Sequence, residues 1–408
     1  MNTKIRLTLM NFLQYAVWGA WLISLGAYLG NTLKFDGLQI GSFFATMGIA
    51  SLFMPAVMGI IADRWIPAQR LLGLCHLFAA GFITLAATRT DYNSLYTLVL
   101  LSVMFYMPTI ALSNSVAYNA LEKAGLDTVT HFPPIRVWGT VGFICAMWVV
   151  DLGKMGLSAT QLYFSATLGL ILGLYSFTLP NCPINRSGGG KSIVDLLGLR
   201  AFALFKQRKM AIFFIFSMLL GMSLQITNAF ADGYIKSFGD TGSHGAKYLG
   251  TFGVEHSTIL ISLSQISETL CILLIPFFLK RFGIKRVMLI AMFAWVLRFA
   301  LLGAGNPGPG VWMFILSMIV YGVAFDFFNI SGSLFVEKET SAAIRSSAQG
   351  VFMIMTNGLG ALIGSYLAGW VVNHYGWPLS WYLFAGFSLV VAIVFAVIFK
   401  YKHDPNRI

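Results

Sequence analysis

Charged residues are scarce in this chain of 408 residues, where they make up 10% of the sequence, against roughly 25% in an ordinary soluble domain. Acidic residues are rarer than basic ones, with 15 Asp and Glu against 27 Lys and Arg. Hydrophobic residues account for 57% of the chain. This composition excludes an ordinary soluble globular domain and predicts a protein that is embedded in a lipid bilayer.

Cysteine is also rare, and sequence motifs for nucleotide hydrolysis or nucleophilic catalysis are absent. The four cysteines form no metal-like cluster and three of them lie in apolar runs, so we expect neither a disulfide framework nor a metal site. The sequence contains no Walker-type loop, no nucleophile elbow and no His-Glu-x-x-His motif. We therefore expect no enzyme, no cofactor and no ATP hydrolysis, which leaves an ion gradient or downhill diffusion to drive any transport.

Long apolar runs dominate the sequence, and a helix that crosses a membrane needs about 20 such residues. Twelve runs qualify, near residues 8–30, 38–62, 71–88, 95–120, 134–151, 160–180, 210–236, 256–279, 284–304, 311–336, 346–373 and 380–400. Pro108 breaks the fourth run, and the fifth opens on Pro133-Pro134, which suits the first turn of a helix. The sequence therefore predicts an all-α membrane protein with twelve transmembrane helices.

The basic residues are distributed unevenly between the two sides of this predicted membrane topology. Most of them fall in loops that share one side with the N-terminus, and only a few fall in the opposite loops. By the positive-inside rule, both termini lie in the cytoplasm. The net charge of +12 therefore reflects membrane topology, and we expect no binding of nucleic acid.

One long basic connection, residues 181–209, divides the twelve runs into six and six. It predicts an N-terminal six-helix half (1–180), a cytoplasmic linker (181–209) and a C-terminal six-helix half (210–408). This arrangement resembles the major facilitator superfamily, in which an axis along the membrane normal relates the halves. Residues 59–64 and 280–286 each match half of the loop signature of that superfamily.

Four of the apolar runs carry a pair of polar residues spaced three or four positions apart. The pairs are Arg136/Thr140, Gln225/Asn228, Gln265/Glu268 and Asp326/Asn329. In a helix this spacing puts both side chains on one face. A charge at the bilayer centre costs roughly 2.5–3.5 kcal/mol on insertion scales, so such residues face protein or a watery cavity. The four pairs therefore predict a shared polar cavity that receives a hydrophilic solute.

The carboxyl groups of Glu268 and Asp326 are the candidates for proton coupling. A carboxyl group away from water can bind a proton in one conformation and release it in another. The alternative is a structural role, in which a carboxylate pairs permanently with Arg136 or Arg298. Arg136 itself could bind a substrate through its planar fork, or it could reach for the cytoplasmic interface from the helix end.

Amides and aromatic rings accompany these charges. The amides of Gln225, Asn228, Gln265 and Asn329 supply the donors and acceptors that suit sugar hydroxyls and a heterocyclic base. Aromatic residues such as Phe143 and Phe325 could stack on a base or sugar, although most aromatic residues must serve packing. We expect Gln14 to hydrogen-bond between helices, His76 to be structural and Asp232 to be solvated.

Several stretches of the sequence resemble the bacterial nucleoside–proton symporters. They are residues 12–21, 106–109, 132–143, 224–228, 264–268 and 324–333. The resemblance spans nearly the whole chain, and it implies a monomeric major facilitator protein of the bacterial inner membrane. Such a protein imports purine and pyrimidine nucleosides with protons by alternating access.

The same resemblance implies which residues do this work. The positions that match the substrate and coupling region of the family are Arg136, Thr140, Phe143, Gln225, Asn228, Gln265, Glu268, Phe325 and Asp326. The polar pairs select most of these residues without the resemblance, and they add Asn329. A sugar or disaccharide–proton symporter of the same superfamily is the alternative, because it would use similar amides and carboxylates.

Overall fold

The computed structural model describes residues 2–184, 199–240, 245–341 and 344–401. Throughout these ranges the regular structure is helical, and they contain no strand. The middle of the predicted linker, residues 185–198, lies outside the described residues. Its last part forms a short 3₁₀-helix, Leu199–Lys206.

The chain folds into two compact units. Unit 1 comprises Met1–Phe35 with Thr46–Leu197, and unit 2 comprises Asp36–Ala45 with Gly198–Ile408. The long helices of the first half of the chain are α1 (Thr3–Gly19), α2 (Gly37–Arg64), α3 (Ala68–Ala87), α4 (Tyr92–Lys123), α5 (Thr128–Leu152) and α6 (Thr160–Ser176). The first turns of α2 belong to unit 2 and the rest of that helix belongs to unit 1.

The second half of the chain contributes six further long helices. They are α7 (Arg208–Ser237), α8 (Ser257–Phe282), α9 (Ile284–Ala304), α10 (Val311–Glu339), α11 (Arg345–Met353, Ile354–Gly360 and Ala361–Tyr375 in succession) and α12 (Leu379–Ile398). The middle segment of α11 is a π-helix. Wider turns of this kind occur often at functional sites.

The described residues contain ten helices that are long and apolar enough to cross a membrane. The long helices outside this group are α1 and α6, each of which has 17 residues. The prediction of an all-α membrane protein is confirmed. The predicted count of twelve spans is not confirmed, because ten helices of the described residues meet the criteria of length and composition.

The start of the chain departs from the predicted first span, which was a single run over 8–30. Instead α1 begins at Thr3 and ends at Gly19. A turn, the short helix Leu25–Ala27 and the π-helix Tyr28–Thr32 follow it. Hydropathy records how long an apolar run is, but it does not record where the backbone of the run changes direction.

Two expectations based on proline are wrong. Helix α4 continues through Pro108; proline is tolerated within membrane helices because neighbouring groups can satisfy the carbonyl that it leaves without a donor. Helix α5 begins before Pro133-Pro134, at Thr128. Asp127 supports this earlier start, since its Oδ2 accepts the backbone N–H of Thr130 over 2.8 Å.

Glycine allows the backbones of α1 and α5 to touch in unit 1. A Cβ atom at Gly142 would lie 2.1 Å from the Phe12 carbonyl oxygen, and one at Gly19 would lie 2.4 Å from the Phe143 carbonyl oxygen. Small residues permit such close approach between helices in membranes. The contact brings the polar face of α5 against the aromatic residues of α1.

Glycine also allows close backbone contact in two helix pairs of unit 2. A Cβ atom at Gly221 of α7 would lie 2.3 Å from the Thr356 carbonyl oxygen in the π-helical segment of α11. A Cβ atom at Gly322 of α10 would lie 2.6 Å from the Ser267 carbonyl oxygen of α8. Glu268 follows Ser267 directly and Asp326 lies one turn after Gly322, so this contact brings the two carboxyl-bearing turns together.

Candidate functional site

In unit 1, one face of α5 carries Arg136, Thr140 and Phe143 at successive turns. The guanidinium carbon of Arg136 lies 3.9 Å from the ring centroid of Tyr15 on α1, a close cation–π contact. Arg136 and Thr140 are half-buried, while Phe143 is buried and meets Trp18 edge to face at 6.3 Å. Arg136 makes no ion pair with a described residue, so its hydrogen-bond donors remain available.

Behind this face, Gln14 connects three helices through its side chain and backbone. Its Nε2 donates to the Thr109 hydroxyl over 2.7 Å, and its Oε1 accepts from His76 Nε2 over 2.8 Å. The Tyr106 hydroxyl donates to the Gln14 carbonyl over 2.8 Å. The expectation that Gln14 hydrogen-bonds between helices is therefore confirmed. Trp18 packs on Tyr106 at 5.8 Å, and its buried indole N–H has no partner among the described residues.

In unit 2, the structure brings the two predicted proton-coupling residues together. Asp326 of α10 is only 4% exposed, and the charge of Glu268 on α8 acts on it. The Oδ2 atom of Asp326 has no hydrogen-bond partner among the described residues. Two carboxylates that lie close together repel each other while both are charged.

A permanent salt bridge between Asp326 and Arg298 is not formed in unit 2. Asp326 makes no ion pair with any described residue. The Nη1 atom of Arg298 instead donates to the backbone carbonyl of Ser317 over 2.7 Å. The Asp326 carboxyl group therefore remains available to bind and release a proton.

Tyr321 is a central residue of this region that the spacing of polar residues in the sequence does not indicate. Its ring stacks on that of Phe325 with centroids 5.6 Å apart and planes 5° apart. Its hydroxyl lies beside the Gln265 side chain, and the charges of Glu268 and Asp326 act on it. The four-residue spacing of Tyr321 and Phe325 was the available signal, but it is not distinctive in a chain with 15 Tyr and 35 Phe.

The other predicted amides, Gln225, Asn228 and Asn329, lie on α7 and α10. Gln225 is 6% exposed, and its Oε1 has no partner among the described residues. Asn228, one turn later, is half-buried. Asn329 donates from Nδ2 to the Phe325 carbonyl in its own helix over 3.0 Å, which leaves its carbonyl oxygen to accept. A cavity is lined by Leu224, Phe325, Phe328, Asn329, Asn357 and Trp295, among others.

The expectation that Asp232 is solvated is wrong. This residue is 1% exposed near the end of α7, and its Oδ2 pairs with Lys236 Nζ over 2.6 Å. Its Oδ1 accepts from the hydroxyls of Ser257 and Thr258, over 2.6 and 3.1 Å. The first residues of α8, more than 20 positions later, supply these two donors, so the local sequence around Asp232 gave no sign of them.

Comparison with known proteins gives consistent matches over the whole chain. A family model described as Nucleoside H+ symporter matches residues 1–404. Nucleoside permease NupG of Escherichia coli is 51% identical over 410 residues, which cover 99% of this chain and 97% of that protein. Xanthosine permease of Escherichia coli is 50% identical over 415 residues, which cover 100% of this chain and 98% of that protein.

The similarity extends to three-dimensional structure. A crystal structure of the nucleoside transporter NupG matches this structure with a TM-score of 0.91 and 51% sequence identity. The match covers 98% of this chain and 100% of that chain. A crystal structure of a NupG variant with one aspartate replaced by alanine matches with a TM-score of 0.94.

Proposed function

Because this chain belongs to the nucleoside H+ symporter family, we propose that it carries purine and pyrimidine nucleosides across a membrane together with protons. The observation that carries the proposal is the pairing of the buried Asp326 with the half-buried Glu268 beside the stacked rings of Tyr321 and Phe325. The pair provides a place for a proton, and the rings provide a flat apolar surface for a base. The names of two relatives, a nucleoside permease and a xanthosine permease, agree with this substrate class.

The proposed membrane topology has twelve spans in two six-helix halves, 1–180 and 210–408, joined by the linker 181–209, as in the major facilitator architecture. The two spans beyond the ten long helices are α1 and α6. At 1.5 Å per residue a 17-residue helix reaches about 25 Å, and short spans are accommodated when flanking residues extend to the interface or the bilayer thins. Both termini lie in the cytoplasm, the membrane is the bacterial inner membrane, and the protein works as a monomer.

The nucleoside is recognised by rings and by hydrogen bonds. In unit 2, Phe325 stacks on the base, and the amides of Gln265, Gln225, Asn228 and Asn329 bond its edge and the ribose hydroxyls. Amide groups suit both tasks because each offers a donor and an acceptor. The support comes from the unpaired Oε1 of Gln225 and the free carbonyl oxygen of Asn329.

Arg136, Thr140 and Phe143 of α5 are further residues that we propose for nucleoside binding. The Arg136 guanidinium, already stacked on Tyr15, donates to a carbonyl oxygen of the base or to a ribose hydroxyl. The Thr140 hydroxyl can donate and accept, and Phe143 adds apolar surface. A neutral nucleoside does not neutralise the Arg136 charge, so its binding there depends on hydrogen bonds and stacking.

Proton coupling follows from the carboxyl pair. One proton on the pair removes the repulsion between Asp326 and Glu268. The free-energy cost of closing the site and excluding water from it is then lower. When the conformational change requires both nucleoside and proton to be bound, neither solute crosses alone. The proton gradient is then the energy source, no cofactor is needed, and the two sides of the membrane gain access to the site alternately.

The test is uptake of radiolabelled uridine, adenosine and xanthosine into proteoliposomes, with and without an inward proton gradient. Accumulation above the external concentration, seen only with the gradient, is the expected result. Uptake that only equilibrates would indicate a facilitator and leave the carboxyl pair structural. If no nucleoside enters vesicles that accumulate maltose or sucrose, the protein is a sugar–proton symporter instead.

A further inference from the structure

Arg298 lies within the apolar helix α9 and is 2% exposed, so its charge is almost fully buried. No described residue forms an ion pair with it. Its Nη1 donates to the Ser317 carbonyl over 2.7 Å and lies 3.4 Å from the Ser264 hydroxyl, while its Nε has no partner. A charge buried without an opposite charge is costly, and proton coupling as proposed above does not use it.

The guanidinium of Arg298 lies over the ring of Tyr321. The guanidinium carbon is 4.6 Å from the ring centroid, within the range of a strong cation–π contact. Trp295, on the same helix, meets the Tyr321 ring edge to face, with centroids 6.0 Å apart and planes 89° apart. Two side chains of α9 therefore fix both the position and the tilt of this ring.

Tyr321 interacts with four of the residues assigned to nucleoside and proton. It stacks on Phe325, its hydroxyl lies beside Gln265, and the charges of Glu268 and Asp326 act on it. A change in the tilt of Tyr321 therefore changes the stacking surface, the hydrogen bonding of Gln265 and the surroundings of the carboxyl pair together.

We infer that Arg298 is a positioning residue for nucleoside binding, which holds the ring of Tyr321 so that Phe325 and Gln265 are in place before the base arrives. The inference rests on the proposed function and deepens it. Order imposed before binding raises affinity, because less freedom is lost when the ligand arrives. The competing explanation is that Arg298 only ties α9 to α10 through its hydrogen bond to Ser317.

The test is the equilibrium affinity of purified, detergent-solubilised protein for uridine, measured by calorimetry, with thermal stability recorded for each variant. Arg298→Met should weaken uridine binding by roughly 2- to 30-fold, the range expected for loss of a desolvated cation–π contact. Arg298→Lys keeps the charge without the planar fork, so it should bind uridine with an affinity between those of Arg298→Met and the natural protein.

Two variants of Tyr321 show whether the effect passes through its ring. Tyr321→Phe keeps the ring, so Arg298→Met should still weaken uridine binding in that background. Tyr321→Leu removes the ring, so Arg298→Met should have little further effect there. A purely structural role for Arg298 would give the same loss in both backgrounds.

Matched controls separate positioning from general stability. Ser317→Ala removes the hydrogen bond from the Ser317 hydroxyl to the Arg298 carbonyl (3.0 Å), which ties the same two helices through the Arg298 backbone and not through its guanidinium. It should lower thermal stability and leave uridine affinity unchanged. Arg286→Gln, at an exposed arginine of the same helix, should change neither.

The inference is overturned if Arg298→Met binds uridine as the natural protein does, or if Ser317→Ala loses as much affinity as Arg298→Met. Where Arg298→Met does not fold, Arg298→Lys in the two Tyr321 backgrounds decides, and an equal loss in both overturns it. A natural protein that binds no nucleoside at all overturns the proposed function itself, and the inference with it.

Discussion

Replacing Asp326 by asparagine should separate nucleoside binding from proton-driven accumulation. The asparagine amide has nearly the shape of the carboxyl group, so the packing of a side chain that is 4% exposed is preserved. It cannot bind or release a proton, and it removes the charge that acts on Glu268. The variant should therefore bind and exchange nucleosides while losing the link between nucleoside and proton.

The size of the expected effect follows from the coupling itself. With one proton carried per nucleoside and no membrane potential, an inward gradient of one pH unit supplies about 1.4 kcal/mol and sustains about a tenfold accumulation. In Asp326→Asn the final ratio of internal to external uridine should fall to about one. Counterflow of labelled against unlabelled uridine needs no net proton movement, so it should continue in the variant.

Both quantities can be measured in one set of proteoliposomes, with uridine uptake under a pH gradient and counterflow at equal pH. Asp91→Asn is a suitable control, because Asp91 is an exposed residue that caps the start of α4, outside the spans. That variant should accumulate uridine normally. Tenfold accumulation by Asp326→Asn would refute the assignment of Asp326 to proton coupling, whereas loss of counterflow together with accumulation would indicate a role in binding or folding.

Three further substitutions test other parts of the structure. Gln225→Ala should weaken uridine binding about tenfold, the value of a hydrogen bond worth about 1.4 kcal/mol; calorimetry that finds unchanged affinity for several nucleosides would assign Gln225 to packing. Gly142→Val places side-chain atoms against the Phe12 carbonyl, where a Cβ would lie at 2.1 Å. It should destabilise the fold by about 1–3 kcal/mol or more, which a thermal melt would show as unfolding at a lower temperature. Gly81→Ala is the control, because a Cβ at Gly81 meets open space, and it should leave the melting temperature unchanged. Asp232→Ala leaves the largely buried Lys236 ammonium without its partner and should lower the free energy of unfolding by about 3–5 kcal/mol. The double variant Asp232→Ala with Lys236→Ala should recover part of that stability. A double variant as unstable as Asp232→Ala would contradict a paired role.

The parts of the site that could be predicted from the sequence depend on contacts along one helix. Gln265 and Glu268 share a face because they are three residues apart, and this holds wherever α8 packs. Length and hydropathy likewise predicted most of the helices, including α9, which was expected at 284–304 and is found there. These features arise from helix periodicity and from the solvent that surrounds the chain.

The parts that could not be predicted depend on which helices pack together. Tyr321 and Arg298 lie on different helices, and only the packing of α9 on α10 brings the guanidinium over the ring. The partners of Asp232 come from the first turn of α8. Proline by itself tends to end a helix, but α4 continues through Pro108 because of the residues that pack around it. A sequence pattern that is read along one segment contains none of this information.

Unpaired polar atoms give a physical reason for the selectivity of the proposed site. The Asp326 Oδ2 and Gln225 Oε1 atoms of unit 2 are buried without partners among the described residues, although folded proteins pair nearly all such groups. An unpaired atom does not by itself mark a site, since Trp381 Nε1 is also unpaired. Asp326 and Gln225, however, are residues that the polar pairs had already selected.

Each buried polar group without a partner costs the empty protein about 1–3 kcal/mol. A ligand that hydrogen-bonds to these atoms removes that cost, and the complex is stabilised accordingly. A nucleoside has both the base edge and the ribose hydroxyls with which to pair both atoms, whereas a solute of similar size without these groups would leave them unpaired. Selection against such a solute can reach several orders of magnitude, because each unpaired buried group adds its own penalty. We therefore expect the protein to discriminate mainly by hydrogen bonds and to use the stacked rings of Tyr321 and Phe325 for affinity that both purines and pyrimidines share.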